Sequence, residues 1–146
     1  MIHYIFALII ATVGLTGNNP IRPSQNKATL TVTVEEGDNA DGYIYVMLWK
    51  TNAGFPGEVT EAWRNQKTKA QNGTASLTFS NLPYGKYAIS TFHDEDNDGE
   101  VDKNWIGYPV ESVGAYRHDS WGRPNFSKAT LDLNQAQKTI HLTYIN

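Results

Sequence analysis

The chain has 146 residues, a length typical of a single domain. Its 12 lysines and arginines and 15 aspartates and glutamates give a formal net charge of −3, whereas nucleic-acid binding needs a basic face. The sequence has no cysteine, which excludes a disulfide scaffold, a thiolate zinc site and a cysteine nucleophile. Its 12 glycines and its aromatic content of 12% favour a turn-rich β protein over a helical bundle.

The chain begins with an apolar stretch, residues 2–15, and its first charged side chain is Arg22. The stretch is shorter than the roughly 20 residues of a membrane span, but it matches the hydrophobic region of a signal peptide. We therefore predict a signal peptide at 1–17, a polar linker at 18–27 and a periplasmic or extracellular location, with no membrane span. The alternative is a buried first strand, since Ile, Leu and Val also suit a sheet.

From Ala28 onward, apolar residues alternate with polar ones, which is typical of half-buried strands. The pattern predicts strands at 28–35, 43–50, 74–79, 86–93, 129–133 and 139–144. Segment 58–70 is compatible with either a helical turn around Trp63 or an edge strand. Six or seven short strands separated by turns predict an all-β fold, an antiparallel β-sandwich, in one domain over 28–146.

A nine-residue segment, 94–102, concentrates the negative charge of the chain. Six of its residues are acidic: Asp94, Glu95, Asp96, Asp98, Glu100 and Asp102. The segment carries −6, and the rest of the chain carries 12 − 9 = +3. Carboxylates this close together repel one another unless a cation binds or the loop stays open to solvent.

The spacing of these residues resembles that of a calcium-binding loop. Asp94, Asp96 and Asp98 stand at positions 1, 3 and 5, and a glycine follows at position 6, where such loops turn sharply. The Glu100 carbonyl at position 7 and Asp102 at position 9 complete the predicted ligands. We predict Ca²⁺ as the cofactor, because Mg²⁺ takes fewer protein ligands.

Two features distinguish this segment from an EF-hand. Position 12, where a bidentate glutamate is expected, is Trp105, and a strand rather than a helix precedes the loop. The missing ligand would then come from water, Asn104 or Glu111. The alternative is an acidic surface loop without a metal, held by Asp and Asn turn interactions alone.

Aromatic residues cluster after the acidic loop, at Trp105, Tyr108, Tyr116 and Trp121. Exposed rings stack on the flat faces of sugars, so we predict Trp105 and Tyr108 as residues that bind a partner, a glycan or an envelope protein. The alternative is that these rings cover one end of the sandwich. We expect a monomer.

His93 beside the loop and the pair His118-Asp119 suggest a second functional class, a hydrolase-type enzyme. A histidine next to a carboxylate can act as a general base. However, the chain contains no Gly-x-Ser-x-Gly nucleophile motif, so no catalytic residue is assigned and we favour a protein that is not an enzyme.

Four segments resemble a known family: 81–89 (NLPYGKYAI), 93–104 (HDEDNDGEVDKN), 107–111 (GYPVE) and 124–129 (PNFSKA). They are similar to the motifs of a bacterial family of small exported proteins, domain of unknown function 2141. This chain has Asp96 and Asp98 where that family often has asparagine. The resemblance implies an exported immunoglobulin-like or transthyretin-like sandwich, and it makes the acidic loop a family feature without indicating its ligand.

Overall fold

A computed structural model of the chain describes residues 26–35, 41–72 and 74–145. The predicted signal peptide and most of the predicted linker lie outside these residues. The described residues form eight strands: β1 (Lys27–Glu35), β2 (Tyr43–Trp49), β3 (Arg64–Lys69), β4 (Ala75–Pro83), β5 (Gly85–Asp94), β6 (Val113–Ala115), β7 (Thr130–Leu133) and β8 (Gln137–Thr143). One short 3₁₀ turn spans Val59–Glu61. No helix in these ranges has the length and apolarity needed to cross a bilayer.

The strands form two sheets, which confirms the predicted β-sandwich. One sheet has the order β4-β1-β8, and the other has the order β3-β2-β5-β6, with β7 also paired to β5. All pairs are antiparallel except β1 with β8, which run parallel with Val32 opposite Ile140. β1 and β8 are the first and last strands among the described residues, so no hairpin joins them and their relative direction is not imposed by a turn.

The main hydrophobic core lies between the two sheets. Leu30, Val32 and Val34 of β1 are fully buried there, and they face Ile44 and other residues of the five-stranded sheet. The threonines between the β1 residues are only half-buried, so the period-two pattern in the sequence corresponds to an inner and an outer face.

A second core covers the opposite face of the five-stranded sheet. Tyr45, Met47 and Trp49 of β2 pack there with Ala88 and Phe92 of β5. Side chains from the loops after β2, after β5 and after β6 lie over these residues: Phe55, Val59, Ala62, Val101 and Phe126. β2 and β5 are therefore buried on both faces, which explains why 43–49 reads as a continuous apolar run rather than an alternating one.

Segment 58–70, for which the sequence left two alternatives open, contains the edge strand, and its helical turn lies at Val59–Glu61 rather than around Trp63. The 3₁₀ turn comes first, and β3 follows as an exposed edge strand. Arg64 and Gln66 of β3 donate hydrogen bonds to the carbonyls of Ser80 and Thr78 on β4, at 3.1 and 3.2 Å. These side chains connect the two sheets at this edge, so the polar composition of β3 serves the sandwich itself.

Candidate metal centre

β5 ends at the base of the acidic loop with a carboxylate that is fully buried. Asp94 pairs with Tyr43 of β2, and its side chain lies on the face that carries the second core. Its Oδ1 accepts a hydrogen bond from the Asp98 amide at 3.2 Å, and its Oδ2 accepts one from the Gly99 amide at 3.1 Å. Gly99 has a φ of +83°, a conformation that favours glycine, so the chain folds back over the Asp94 carboxylate.

The rest of the loop is held by short-range hydrogen bonds from carboxylates to backbone amides. Asp96 Oδ1 accepts from the Asp98 amide at 3.1 Å, and Asp98 Oδ1 accepts from the Glu100 amide at 2.8 Å. These Asx interactions are the turn interactions expected of an acidic surface loop without a metal. They stabilise the loop backbone, but they leave the negative charges of the loop uncompensated.

One lysine from β3 reaches the loop. Lys67 Nζ donates to Asn97 Oδ1 at 3.0 Å and lies 4.5 Å from the ring centre of Tyr43 and 5.0 Å from that of Tyr45. A hydrogen bond with Tyr45 is the main cause that raises the pKa of Lys67, and the negative charge of Asp94 adds to it. Lys67 therefore stays charged beside the loop and offsets part of its negative charge.

Glu111, which lies beyond the acidic segment, connects its two ends. Its Oε1 accepts a hydrogen bond from the Glu95 amide at 3.0 Å, and its Oε2 accepts one from the Asp102 amide at 3.1 Å. Burial raises the pKa of Glu111; the two backbone hydrogen bonds oppose this, and the charges of Asp94 and Asp102 add to it. The ionised form of Glu111 is thus disfavoured by its surroundings, and a bound cation would stabilise it.

Asp94, Asp96 and Glu111 form a three-carboxylate group that is suited to a cation. One oxygen from each lies within 4.8 Å of the others, and this is the one such group of three or more ligand side chains in the described part of the chain. Oxygens bound to one Ca²⁺ at 2.3–2.6 Å are separated by at most about 5 Å. The arrangement is therefore one that could hold a metal ion.

The group overlaps only partly with the ligand set predicted from loop spacing. Asp94 and Asp96 belong to both, whereas Asp98, Glu100 and Asp102 stay predicted ligands outside the three-carboxylate group. Glu111, named from the sequence only as one of several ways to complete the site, is the member that comes from another segment. No spacing rule identifies it, because its approach depends on how the intervening residues fold.

Those intervening residues form a hairpin over 102–110. The Val110 amide donates to the Asp102 carbonyl at 2.9 Å, and the Asn104 amide donates to the Tyr108 carbonyl at 2.8 Å. The tip is exposed to solvent, with Trp105 95% and Tyr108 48% exposed. The Tyr108 ring stacks on that of Trp121 with 5.4 Å between ring centres. The two predicted partner-binding side chains thus lie on a solvent-exposed hairpin that begins and ends at the acidic site.

The two histidines occupy different environments. His93 is fully buried, its Nε2 donates to the Asp41 carbonyl at 2.6 Å, and its ring stacks against Tyr144 in the region between the sheets. His118 is half-buried, and its Nε2 donates to the Gly122 carbonyl at 2.9 Å. A fully buried imidazole does not meet a substrate arriving from solvent, so the position of His93 does not suit a general base.

A family model matches residues 32–141, and that family is described as "Uncharacterized protein conserved in bacteria (DUF2141)". No curated protein and no solved structure matches the chain. The matched range contains β2 to β7, part of β1 and of β8, and the whole three-carboxylate group.

Proposed function

The chain belongs to the uncharacterised bacterial family DUF2141, and from this premise we propose that it is an exported β-sandwich module with a calcium-binding acidic loop. The calcium ion orders the loop and sets the orientation of the 102–110 hairpin. The hairpin then presents Trp105 and Tyr108 to a partner in the cell envelope. This role is one of binding and structure rather than catalysis.

The observation that carries the proposal is the convergence of Asp94, Asp96 and Glu111. Asp94 is fully buried, Glu111 is half-buried, and both would gain from a positive ion between them. Ca²⁺ takes 6–8 oxygen ligands in a flexible geometry, so Asp98, Asp102, the Glu100 carbonyl and water can complete its coordination. Mg²⁺ demands a near-ideal octahedron, and an irregular loop suits it less.

The exposed hairpin favours a glycan as the partner. Trp and Tyr rings offer flat apolar faces with a polar edge, and an exposed cluster of such rings marks an interaction site. An envelope protein is the second candidate, since exposed apolar side chains also serve protein interfaces.

Calorimetric titration of the purified chain with CaCl₂ tests the metal site. We expect saturable heat and a rise in melting temperature relative to EDTA. Glu111→Gln and Asp96→Asn should each weaken calcium binding by about tenfold or more, because each removes a charged ligand. Glu100→Gln is the matched control: it removes one exposed charge from the same loop, keeps the backbone carbonyl and should bind calcium with at most a small loss.

Two results would refute calcium binding. The first is the absence of both heat and thermal stabilisation in the parent chain. The second is an equal loss of affinity in all three variants, which would indicate general attraction of the ion to the acidic loop rather than ligation by the three-carboxylate group.

Binding to immobilised envelope polysaccharides tests the partner. Trp105→Ala and Tyr108→Ala should reduce retention, whereas Val110→Ala, an exposed aliphatic change on the same hairpin, should not. Retention that is equal in all these proteins would argue against a glycan platform on the hairpin.

Export is tested by producing the chain in a bacterial host and measuring the mass of the product outside the cytoplasm. We expect a mature protein that lacks the leader, and we expect a variant without residues 2–15 to stay in the cytoplasm. Full-length protein retained in the cytoplasm would contradict export.

A further inference from the structure

A second candidate site lies on the loops that cover the second core, and it shares no residue with the three-carboxylate group. It is a cavity of about 330 Å³, wide open to solvent, between the loop after β2 and the segment that precedes β7. The cavity is lined by the buried Pro124, the half-buried Phe126 and four exposed polar residues: Asn52, Arg123, Asn125 and Ser127. Its volume falls at the lower end of the range for small-molecule sites.

Interactions between distant segments build the cavity. Arg123 donates a hydrogen bond to the Phe55 carbonyl at 2.6 Å, which joins the two walls. The buried Phe55 ring meets the Phe126 ring edge-to-face, with 5.5 Å between centres. Pro124 is also buried. The cavity walls are therefore anchored to the second core.

The chemistry of the lining indicates the class of ligand. It contains one guanidinium, two carboxamides and one hydroxyl, and no carboxylate is among the lining residues. A guanidinium has five N–H donors, so the bond from Arg123 to Phe55 leaves others for a ligand. The Oδ1 of Asn125 accepts from the Lys128 amide at 3.2 Å, which orients that carboxamide. Arginine suits carboxylate and phosphate oxygens because its planar fork can make two parallel hydrogen bonds.

We propose that this cavity is a binding site for a small oxyanion, with Arg123 as the cationic anchor. The amides of Asn52 and Asn125 and the Ser127 hydroxyl supply the remaining hydrogen bonds, and the Phe126 ring contacts an apolar part of the ligand. Carboxylates and phosphates share this chemistry, and the two probes below distinguish them.

The test is titration of the full chain with inorganic phosphate and, separately, with acetate, followed by calorimetry and by amide chemical shifts. We expect saturable binding of one or both probes, weaker at high salt, with shifts at 52 and 123–127. Arg123→Gln should weaken binding by about tenfold or more, the effect of losing a charge-assisted hydrogen bond. Arg64→Gln is the matched control, because Arg64 also donates a hydrogen bond to a backbone carbonyl, that of Ser80. This variant should bind the probes like the parent.

Arg123→Gln also removes the contact with Phe55, so a second variant separates binding from folding. The double change Asn52→Ala/Ser127→Ala leaves the Arg123–Phe55 hydrogen bond in place and should weaken binding of the same probe. Absence of saturable binding of both probes by the parent chain would overturn the proposal. Parent-like affinity in both the double variant and a folded Arg123→Gln protein would also overturn it.

Discussion

Ser90 is a buried polar residue that links the five-stranded sheet to the loop after β2. Its Oγ accepts a hydrogen bond from Trp49 Nε1 at 2.8 Å and donates one to the Pro56 carbonyl at 2.7 Å. The Ser90 and Trp49 side chains are 0% and 1% exposed. Replacement of Ser90 by alanine removes both hydrogen bonds and leaves the Trp49 indole N–H buried without this acceptor.

The expected loss of stability follows from these two partners. A buried donor without an acceptor costs about 1–3 kcal/mol. Pro56 is half-buried, so water can reach its carbonyl. The loss of the hydrogen bond from Ser90 to this carbonyl therefore contributes roughly 1 kcal/mol or less. We therefore expect Ser90→Ala to lower the free energy of unfolding by about 2–3 kcal/mol, a large part of the roughly 5–15 kcal/mol typical of a domain. For a domain of this size the melting temperature should fall by roughly 10 °C.

The assay is urea denaturation of Ser90→Ala in two backgrounds, the parent chain and Trp49→Phe. In the second background the indole N–H is already gone, so Ser90→Ala should cost only about 1 kcal/mol or less. The difference of about 1–2 kcal/mol is the coupling energy between the two side chains. An equal cost in both backgrounds, or a cost well below 1 kcal/mol in the parent, would refute this account of the buried hydrogen bond.

Three further changes test other parts of the molecule. Because the pKa of Glu111 is raised above its ordinary value of 4.5, the folded chain holds this proton more tightly than the unfolded chain. Without calcium, the resulting stability is fully present below about pH 4.5 and is lost as the pH rises through the raised pKa. Glu111→Gln should lack this decline when the melting temperature is measured across this pH range. The same dependence of melting temperature on pH in both proteins would contradict the prediction. Gly114→Ala should destabilise the fold by about 1–3 kcal/mol in denaturation experiments, since an added Cβ would lie 2.5 Å from the Thr143 carbonyl oxygen, and a neutral effect would show that β6 and β8 separate easily. Trp105→Ser should change the unfolding free energy by less than about 0.5 kcal/mol, because the side chain is 95% exposed, and a larger loss would mean that Trp105 packs against the domain.

Much of the strand pattern is visible in the sequence because it depends on neighbouring residues. The alternation of Leu30, Val32 and Val34 predicts β1 to within one residue at its start. The continuous apolar run at 43–49 predicts a central strand, and β2 indeed lies between β3 and β5. β5 alternates in the sequence, but both of its faces are buried because the loops cover the outer one.

Other elements have no such local pattern. β6 has only three residues, Val113–Ala115, and exists through its pairing with β5. Gly114 is suited to this position because the backbone of Thr143 passes close to it, a contact between segments that are distant in the chain. The parallel pairing of β1 with β8 likewise joins the two ends of the domain.

The features of the candidate site are likewise of two kinds, those visible in the local sequence and those that depend on the tertiary structure. The sequence by itself determined that one loop carries −6 at alternating positions, because charge and spacing are properties of consecutive residues. Only the tertiary structure decided that Glu111 joins Asp94 and Asp96, that His93 is buried away from solvent, and that Arg123 meets Phe55 across a cavity. Each of these contacts connects segments separated along the chain, and their approach depends on the packing of whole loops against the sheet rather than on any local pattern.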